Sequence, residues 1–443
     1  MDYNKRNTLK YSFKNFKLDD LRKLGALVED QEGFKDKYGR LLSLLRIQVK
    51  DGLLSTLLQF YDPDYHCFTF PDYQLLPTLE EYSQLVGLPI VDKSPFPFLE
   101  KDPKEEDIAK AICLKVSDIK GNMIAKGGTV GLPTHFLIKK AQYYADHLSM
   151  PTFETILALL IYGMLLFPSF EGFVDINAIK IFMKNNPVPT LLGNTYHSIH
   201  LRNFHGGGMI TCCVPLLYKW FISHLPKSFL SLDKGFWSPR VMALTHSDIV
   251  WYNRVYDGIL IIDSCGDFAN VPLLGFNGGI NYNPVLARRQ LGYPLKEPPK
   301  SVHVEKIFFK GDKELQDQIV SAWHHLHKKG KESLGKQNCV SMEPYLRWVR
   351  ERAIKLKMPY PRQDPLPPRR EPVLVFMSEA EKLEIALKRA QHEAETWKNK
   401  YQVIVSENEE LQKQLQAKNE EVLSYKKRRI YEDLFSSDSP PTR

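Results

Sequence analysis

The sequence predicts a mostly α-helical protein, in which a large helical domain with one small β-hairpin is followed by a C-terminal coiled coil. Two patterns predict this fold class. Apolar residues recur at helical spacings through much of the first 358 residues, whereas strand patterns are few. A stricter spacing of 3.5 residues then runs through the C-terminal seventy residues, as in the seam of a coiled coil.

The pattern divides the chain into five sections. They are a flexible N-terminal arm (1–20), the helical domain (21–358), a Pro-rich linker (359–373), the coiled coil (374–430) and a disordered tail (431–443). Hydrophobic residues make up 43% of the chain and aromatic residues 12%, which is ample material for a sizeable core in the second section.

Three apolar segments are predicted to supply core helices. Leu41 to Val49 and Leu53 to Leu58 repeat leucine at helical spacing. Ile156 to Phe167 is the longest apolar run, and its twelve residues fall well short of the ~20 that a membrane-spanning helix needs. We therefore expect a buried core helix there and no membrane partner.

One helix start is marked by its residue types. Thr78 is a favourable N-cap, and Glu80 and Glu81 place carboxylates in the first turn, where the helix dipole favours them. Gly87 and Pro89 are predicted to end this helix.

The β-hairpin is predicted near the middle of the domain. Ile249 to Tyr252 and Ile259 to Ile262 are apolar enough to be strands, and Asp257-Gly258 supplies a turn between them.

The heptad seam predicts a partner. Asn408 occupies an a position, where a buried amide favours a two-stranded state. We expect a homodimer through residues 376–425; a heterodimer with a related chain and a single helix folded back on the body are the alternatives. The predicted seam consists of Leu383, Leu387, Ala390, Ala394, Trp397, Tyr401, Ile404, Asn408, Leu411, Leu415 and Val422.

Positive charge is concentrated in one region. The formal net charge is +8, and residues 300–371 hold 16 Lys and Arg against 9 Asp and Glu. Such a region could bind the phosphates of a nucleic acid. The alternative is that its cations lie on a solvated helix face beside Glu343 and Glu351. The candidate nucleic-acid patch is Lys328, Lys329, Lys331, Arg347 and Arg350.

A second basic run follows the last heptad. Lys426, Lys427, Arg428 and Arg429 match a nuclear-import pattern, although cations that complement a helix dipole would look the same. The first twenty residues lack the apolar segment of a secretory signal, and the six cysteines show no paired spacing. We expect a nuclear protein, with the cytoplasm as second choice.

Six segments of the chain, taken in order, form a recognisable series. They are Phe68 to Pro71, Pro77 to Tyr82, Val86 to Ile90, Ile156 to Pro168, Gly206 to Pro226 and Arg288 to Gly292. In this order they resemble the plant mobile domain family. The resemblance implies a mostly helical domain, nuclear residence and a link to transposon biology or silencing. The family is also labelled aminotransferase-like, but no lysine here lies in a Schiff-base context for pyridoxal phosphate, so no cofactor is predicted.

Two stretches carry side chains that could support chemistry. The first holds His197, His200, His205, Cys212, Cys213 and His224. Their spacing fits no metal template, and no Gly-Lys-Ser/Thr follows Gly206-Gly207-Gly208 to make a phosphate loop. In the second, Ile259 to Asp267, a strand pattern leads to Asp263, but Cys265 interrupts the Asp-Ser/Thr-Gly string of an aspartic protease.

We therefore expect a non-enzymatic nuclear interaction or scaffold protein of transposon-related origin, dimeric through its C-terminal segment and associated with protein, chromatin or nucleic acid. The alternative is a degenerate or active transposon-derived enzyme with a site near 197–224 or 259–267. No catalytic residue, metal or small-molecule substrate is predicted.

Overall fold

The computed structural model describes residues 5–91, 93–147, 149–230 and 236–361, together with 401–402, 405, 408–409 and 411–426. The chain divides into two units, Met1–Leu366, here called the body, and Pro367–Arg443. None of the described helices is long and apolar enough to cross a lipid bilayer.

The described part of the body contains seventeen helices. They are α1 (Asp19–Gly25), α2 (Gln31–Tyr38), α3 (Leu41–Leu45), α4 (Asp51–Leu58), α5 (Leu79–Val86), α6 (Glu105–Ala111), α7 (Val116–Lys120), α8 (Thr134–Asp146), α9 (Met150–Ile161), α10 (Ile176–Lys184), α11 (Val188–Phe204), α12 (Val214–Ser223), α13 (Lys227–Leu230), α14 (Trp237–Met242), α15 (Lys313–Ala322), α16 (Lys331–Leu334) and α17 (Glu343–Leu356).

Thirteen short strands accompany these helices in the described residues. They are β1 (Lys10–Phe13), β2 (Tyr61–Asp62), β3 (Cys67–Thr69), β4 (Gln74–Leu75), β5 (Ile124–Lys126), β6 (Thr129–Pro133), β7 (Phe173–Asp175), β8 (Gly207–Ile210), β9 (Ile261–Cys265), β10 (Val271–Gly275), β11 (Gly278–Tyr282), β12 (Phe308–Phe309) and β13 (Leu326–Lys329).

The strands form five small sheets, so the prediction of a mostly α fold was wrong and the body is mixed α/β. Three sheets are three-stranded, with orders β2-β3-β4, β5-β6-β7 and β10-β11-β12, and two are pairs, β1-β8 and β13-β9. The strands are two to five residues long, and β10 and β11 are buried at every position. They therefore lack the polar alternation that marks a half-buried strand.

The predicted hairpin at Ile249 to Ile262 was also wrong. β9 does lie at Ile261–Cys265, but it pairs antiparallel with β13, more than sixty residues further along the chain. Asn253 instead caps a short 3₁₀ turn at Arg254–Tyr256, because its side chain accepts a hydrogen bond from the Val255 amide. The two-residue hairpin of this region joins β10 to β11.

The core lies around α9, as the apolar run predicted. Every residue from 155 to 168 is buried, and α9 continues into a π turn at Tyr162–Leu166. The leucines of α4 are fully buried in the same cluster, whereas α3 ends at Leu45, before the end predicted for it. The core helices were thus predicted in position, though not always in length.

Part of the N-terminal arm is bound to the rest of the body. β1 pairs in parallel with β8, and the Gln59 amide bonds both the amide and the carbonyl of Leu9, each at 2.9 Å. A Cβ at Gly207, where φ is +123°, would lie 2.5 Å from the Lys10 carbonyl oxygen. The glycine run therefore lets the N-terminal strand approach, and the prediction of a flexible arm was wrong for this part.

The predicted coiled coil is not supported. Residues 411–426 are helical, and Leu411, Leu415 and Val422 are 60%, 63% and 51% exposed. Tyr401, also a predicted seam position, is 69% exposed, and Asn408 is exposed as well. The remaining seam positions, Lys427 to Arg429, the linker after residue 361 and the tail lie outside the described residues.

Candidate functional site

The start of α5 is the local structure that the sequence predicted. The Thr78 hydroxyl accepts a hydrogen bond from the Glu81 amide, and Glu81 Oε2 accepts one from the Thr78 amide, both at 3.1 Å. Gly87 adopts a left-handed conformation and ends the helix. Glu80 and Glu81 are, however, only 4% and 1% exposed, so these carboxylates belong to the interior.

Glu81 is the middle of a buried hydrogen-bonded group, here called the carboxylate centre, that also contains Trp220, His224 and Gln290. Trp220 Nε1 donates to Oε2 at 2.9 Å, and Gln290 Nε2 donates to Oε1 at 3.0 Å. His224 Nε2 lies 2.9 Å from Oε1, while its Nδ1 lies 3.0 Å from the Val250 carbonyl oxygen. Both ring nitrogens of His224 therefore face oxygen atoms, one of a side chain and one of the backbone.

Glu80 sits beside this centre in a different environment. Its Oε1 accepts a hydrogen bond from the Ile262 amide at 2.7 Å, which fastens α5 to β9. Its Oε2 is buried without a partner among the described residues. Burial raises the pKa of Glu80 to about 7, and the neighbouring charge of Glu81 acts in the same direction.

Three consecutive side chains, Arg288, Arg289 and Gln290, connect the centre to the surface. Arg288 Nη2 donates to Asp263 Oδ1 at 2.9 Å. Arg289 Nε donates to the Cys339 carbonyl oxygen at 2.7 Å, and its guanidinium lies 3.8 Å from the ring centroid of Trp251. Gln290 turns inward to Glu81 and also bonds the backbone of Leu76.

Asp263 is a charge partner in this arrangement. It is 4% exposed, and besides Arg288 it binds Lys329, whose Nζ lies 2.5 Å from Oδ2. Burial acts to raise the pKa of Asp263, but the hydrogen bonds from Lys329 and Arg288 outweigh burial and hold it below its usual value. The carboxylate that looked most enzyme-like in the sequence is therefore engaged by two cations.

A cleft opens on the far side of Arg288. It has a volume of about 330 Å³ and is lined by Val285, Arg288, residues 294–300, His303 and the end of α16. Lys296 and Lys300 are exposed and take part in no ion pair found among the described residues. We call this feature the basic cleft.

Comparison with known proteins places these features in one family. A family model described as a domain of unknown function (DUF7745) matches residues 21–354. The chain belongs to this family. The matched range holds the whole carboxylate centre and the lining of the basic cleft, so both are parts of the DUF7745 domain. No curated protein and no solved structure gives a significant match, and the resemblance to the plant mobile domain stays a prediction.

The candidate nucleic-acid patch is distributed over two parts of the DUF7745 domain. Lys331 lies on α16, the helix whose Ser333 and Leu334 line the basic cleft, and Lys328 lies on β13, which contacts α16; both lysines are exposed. Lys329 between them is held by Asp263. Arg347 and Arg350 lie on α17, where Arg350 pairs with Glu343 at 3.0 Å.

The histidines and cysteines of residues 197–224 do not converge on one site. Cys212 and Cys213 are buried, and burial raises the pKa of the Cys212 thiol to about 12. His205 is exposed, and His224 belongs to the carboxylate centre. No group of three or more His, Cys, Asp or Glu side chains in the described residues is arranged to hold a metal ion.

His197 and His200 belong to a separate aromatic group. Its other members, His66 and Phe308, were not singled out in the sequence. The rings of His66 and His200 lie 4.7 Å apart, and both His197 and His200 pack against Phe308. Burial lowers the pKa values of His66 and His197 to about 4, so these rings are neutral at physiological pH.

The side chains that sequence reasoning missed are the partners of the buried acids. Trp220, His224 and Gln290 meet Glu81 from 139 or more positions away, and Lys329 meets Asp263 from 66. One usable signal was present: Glu80 and Glu81 lie between the apolar residues Leu79 and Tyr82.

Proposed function

We propose that this protein is a non-enzymatic nuclear interaction protein of transposon-related origin, that its DUF7745 domain binds nucleic acid through the basic cleft and the lysines beside it, and that it forms a homodimer through residues 376–425. The observation that carries the proposal is the placement of charge. Glu80, Glu81 and Asp263 are buried, whereas Lys296 and Lys300 are exposed without an ion pair among the described residues.

This distribution makes the surface near the cleft more positive than the sequence composition implies. Lys331 lies on α16, which lines the cleft, and Lys328 on the neighbouring strand β13; both are exposed without an ion pair in the described part of the chain. Lysine side chains of this kind bind nucleic acid by neutralising phosphates and releasing counterions.

A non-enzymatic role is supported by the state of the two stretches that were candidates for chemistry. Asp263 is committed to Arg288 and Lys329, and residues 197–224 are divided among the carboxylate centre, an aromatic group and exposed positions. A catalytic acid or base needs a free position within reach of a substrate, which Asp263 lacks in this arrangement.

Self-association is supported by apolar side chains on the C-terminal helix. Leu411, Leu415 and Val422 are exposed on residues 411–426, and clustered exposed apolar side chains are typical of protein interfaces. The basic run from Lys426 to Arg429 supports nuclear import.

The first experiment measures binding of the full chain to fluorescent single-stranded and duplex DNA across a salt series. We expect log affinity to fall linearly with log salt, because each neutralised phosphate releases counterions. Lys328→Gln with Lys331→Gln should weaken binding and flatten the slope by about one to two ions. Lys101→Gln with Lys110→Gln removes the same charge from exposed positions outside the cleft and should leave both unchanged.

Binding that is absent at low salt, or is equal in the two double variants, would contradict the nucleic-acid proposal. Sedimentation equilibrium of the full chain tests the dimer separately. The parent should sediment as a dimer, and Leu411→Ser with Leu415→Ser should sediment as a monomer; a parent that is monomeric at micromolar concentration would end the dimer proposal.

A further inference from the structure

The basic cleft has a fixed wall. The loop of residues 294–300 is anchored at Leu295, whose amide donates to the Val340 carbonyl at 2.8 Å and whose carbonyl accepts from the Met342 amide at 3.0 Å. Opposite it, Arg288 is held by Asp263. Because both sides are tied to the body, the cleft exists before any ligand arrives, and preformed sites lose less conformational entropy on binding.

The charge in and beside the cleft favours a dianion. Four cations, Arg288, Lys296, Lys300 and Lys329, face two acids, Asp263 and Glu297, which leaves a net charge of +2. The pKa of His303 responds to these charges. Its pKa is lowered by burial first, and although Asp263 acts to raise it, the charges of Arg288, Lys329 and Lys300 lower it further.

Two side-chain nitrogen atoms of residues that line the cleft lack partners in the described part of the chain. Arg288 Nε and His303 Nδ1 are buried, and neither has a hydrogen-bond partner among the described residues. A guanidinium presents its N–H groups as a planar fork that matches the oxygens of a phosphate, and a neutral imidazole can add one more donor. The Arg288 side chain is 22% exposed, so part of its guanidinium can be reached by an anion in the cleft.

Apart from Ser333, the rest of the lining is apolar. Val285, Leu295, Leu334 and the prolines at 294, 298 and 299 form the walls around the charged groups. The volume of about 330 Å³ is in the range of sites for small ligands. The cleft therefore suits a phosphate joined to a compact, partly apolar body, such as a nucleotide.

We infer that the basic cleft is a subsite for the terminal phosphate monoester of a nucleic-acid strand. A monoester carries close to two negative charges at neutral pH, whereas each diester phosphate along a strand carries one, so the net charge of +2 matches a strand end. This inference rests on the proposed nucleic-acid function and adds to it a preference for one position on the strand.

The test compares one single-stranded oligonucleotide bearing a 5′-phosphate, a 3′-phosphate or no terminal phosphate, bound to the full chain at one salt concentration. At least one phosphorylated form should bind about fivefold more tightly than the unphosphorylated form, the size expected for charge contacts near a protein surface. Lys296→Gln with Lys300→Gln should abolish this difference. Ser333→Trp, which fills the cleft without changing charge, should abolish it too.

The matched control is again Lys101→Gln with Lys110→Gln, which should retain the preference for the phosphorylated end. Equal binding of the three oligonucleotides would overturn the terminal-phosphate inference and leave the proposed nucleic-acid function standing. No binding of any oligonucleotide would overturn both. Tighter binding of a phosphoserine peptide than of the phosphorylated oligonucleotide would assign the cleft to a protein ligand and overturn the inference.

Discussion

Arg352 binds Asp62 through two hydrogen bonds across 290 positions of the chain. Nε donates to Oδ2 and Nη2 donates to Oδ1, both at 2.7 Å. The two side chains are 6% and 0% exposed, and Thr69 Oγ1 donates to the same carboxylate at 3.2 Å. This buried pair fastens α17 to β2, and so joins regions near the two ends of the matched DUF7745 range.

Removing the guanidinium should destabilise the body strongly. Arg352→Met leaves the Asp62 carboxylate buried without its charge partner, with only the hydrogen bonds from Thr69 and the Asp64 amide, and we expect the free energy of unfolding in urea to fall by about 3–5 kcal/mol. Arg350→Met is the matched control on the same helix, because its ion pair with Glu343 is exposed and should contribute about 0–1 kcal/mol. Equal losses in the two variants would contradict a structural role for the Asp62 pair.

Replacing the acceptor Glu81 by a side chain that also donates hydrogen bonds should destabilise the carboxylate centre. Glu81→Gln keeps the shape of the side chain but places an amide donor against Trp220, His224 or Gln290, all of which donate. We expect a loss of about 2–4 kcal/mol in the free energy of unfolding. Glu351→Gln, an exposed change on α17, should stay within about 0.5 kcal/mol. A neutral Glu81→Gln would mean that the centre is not required for stability.

Glu80 should make stability fall as pH rises. Its pKa in the folded state is about 7, above its ordinary value of 4.5, so the folded state binds the proton more tightly than the unfolded state. The resulting stabilisation is fully present below pH ~4.5 and is lost as pH rises through about 7, with an amplitude on the order of 3 kcal/mol.

Glu80→Gln isolates this effect, because the amide oxygen can still accept the hydrogen bond from the Ile262 amide. The variant should match the parent near pH 5 and exceed it above pH 7 in urea unfolding. Glu351→Gln should keep the pH dependence of the parent. If Glu80→Gln and the parent respond identically to pH, the buried carboxyl is not the group that titrates.

Gly207→Ala should release the N-terminal strand. The added methyl group would lie 2.5 Å from the Lys10 carbonyl oxygen, so β1 must move away from β8. Gly206→Ala is a close control, since Gly206 also has a positive φ, +75°, but open space around the new Cβ. Amide hydrogen exchange at residues 10–13 should accelerate markedly in Gly207→Ala alone, and equal exchange in both variants would point to backbone strain as the only effect.

Local features of the fold could be predicted from the sequence, and long-range ones could not. Thr78 caps the start of α5 and Gly87 caps its end, as predicted, because the residues that cap a helix are close neighbours in the sequence. The run from Ile156 to Phe167 is a core segment for an equally local reason. The sheets were missed because strands of two to five residues, buried on both faces, carry no periodic signal.

The candidate site was missed for a related reason. Glu81 and Asp263 look like a solvated first-turn acid and a protease-like acid in the sequence, and only the fold shows the donors that surround them. The sequence predicted Lys329 to be part of a surface patch, whereas in the structure it forms an ion pair with Asp263. A heptad pattern likewise predicts a helix with an apolar stripe, but it does not identify what covers that stripe. Leu411 and Leu415 are exposed in the structure.

The distance along the chain between the buried acids and their partners has a consequence for synthesis. At about 5–20 residues per second, a ribosome needs roughly 15–60 s to travel from Asp62 to Arg352. Throughout that time the Asp62 carboxylate has no guanidinium to pair with and must stay hydrated. The Asp62–Arg352 contact is therefore a late event, which follows translation of almost the whole domain.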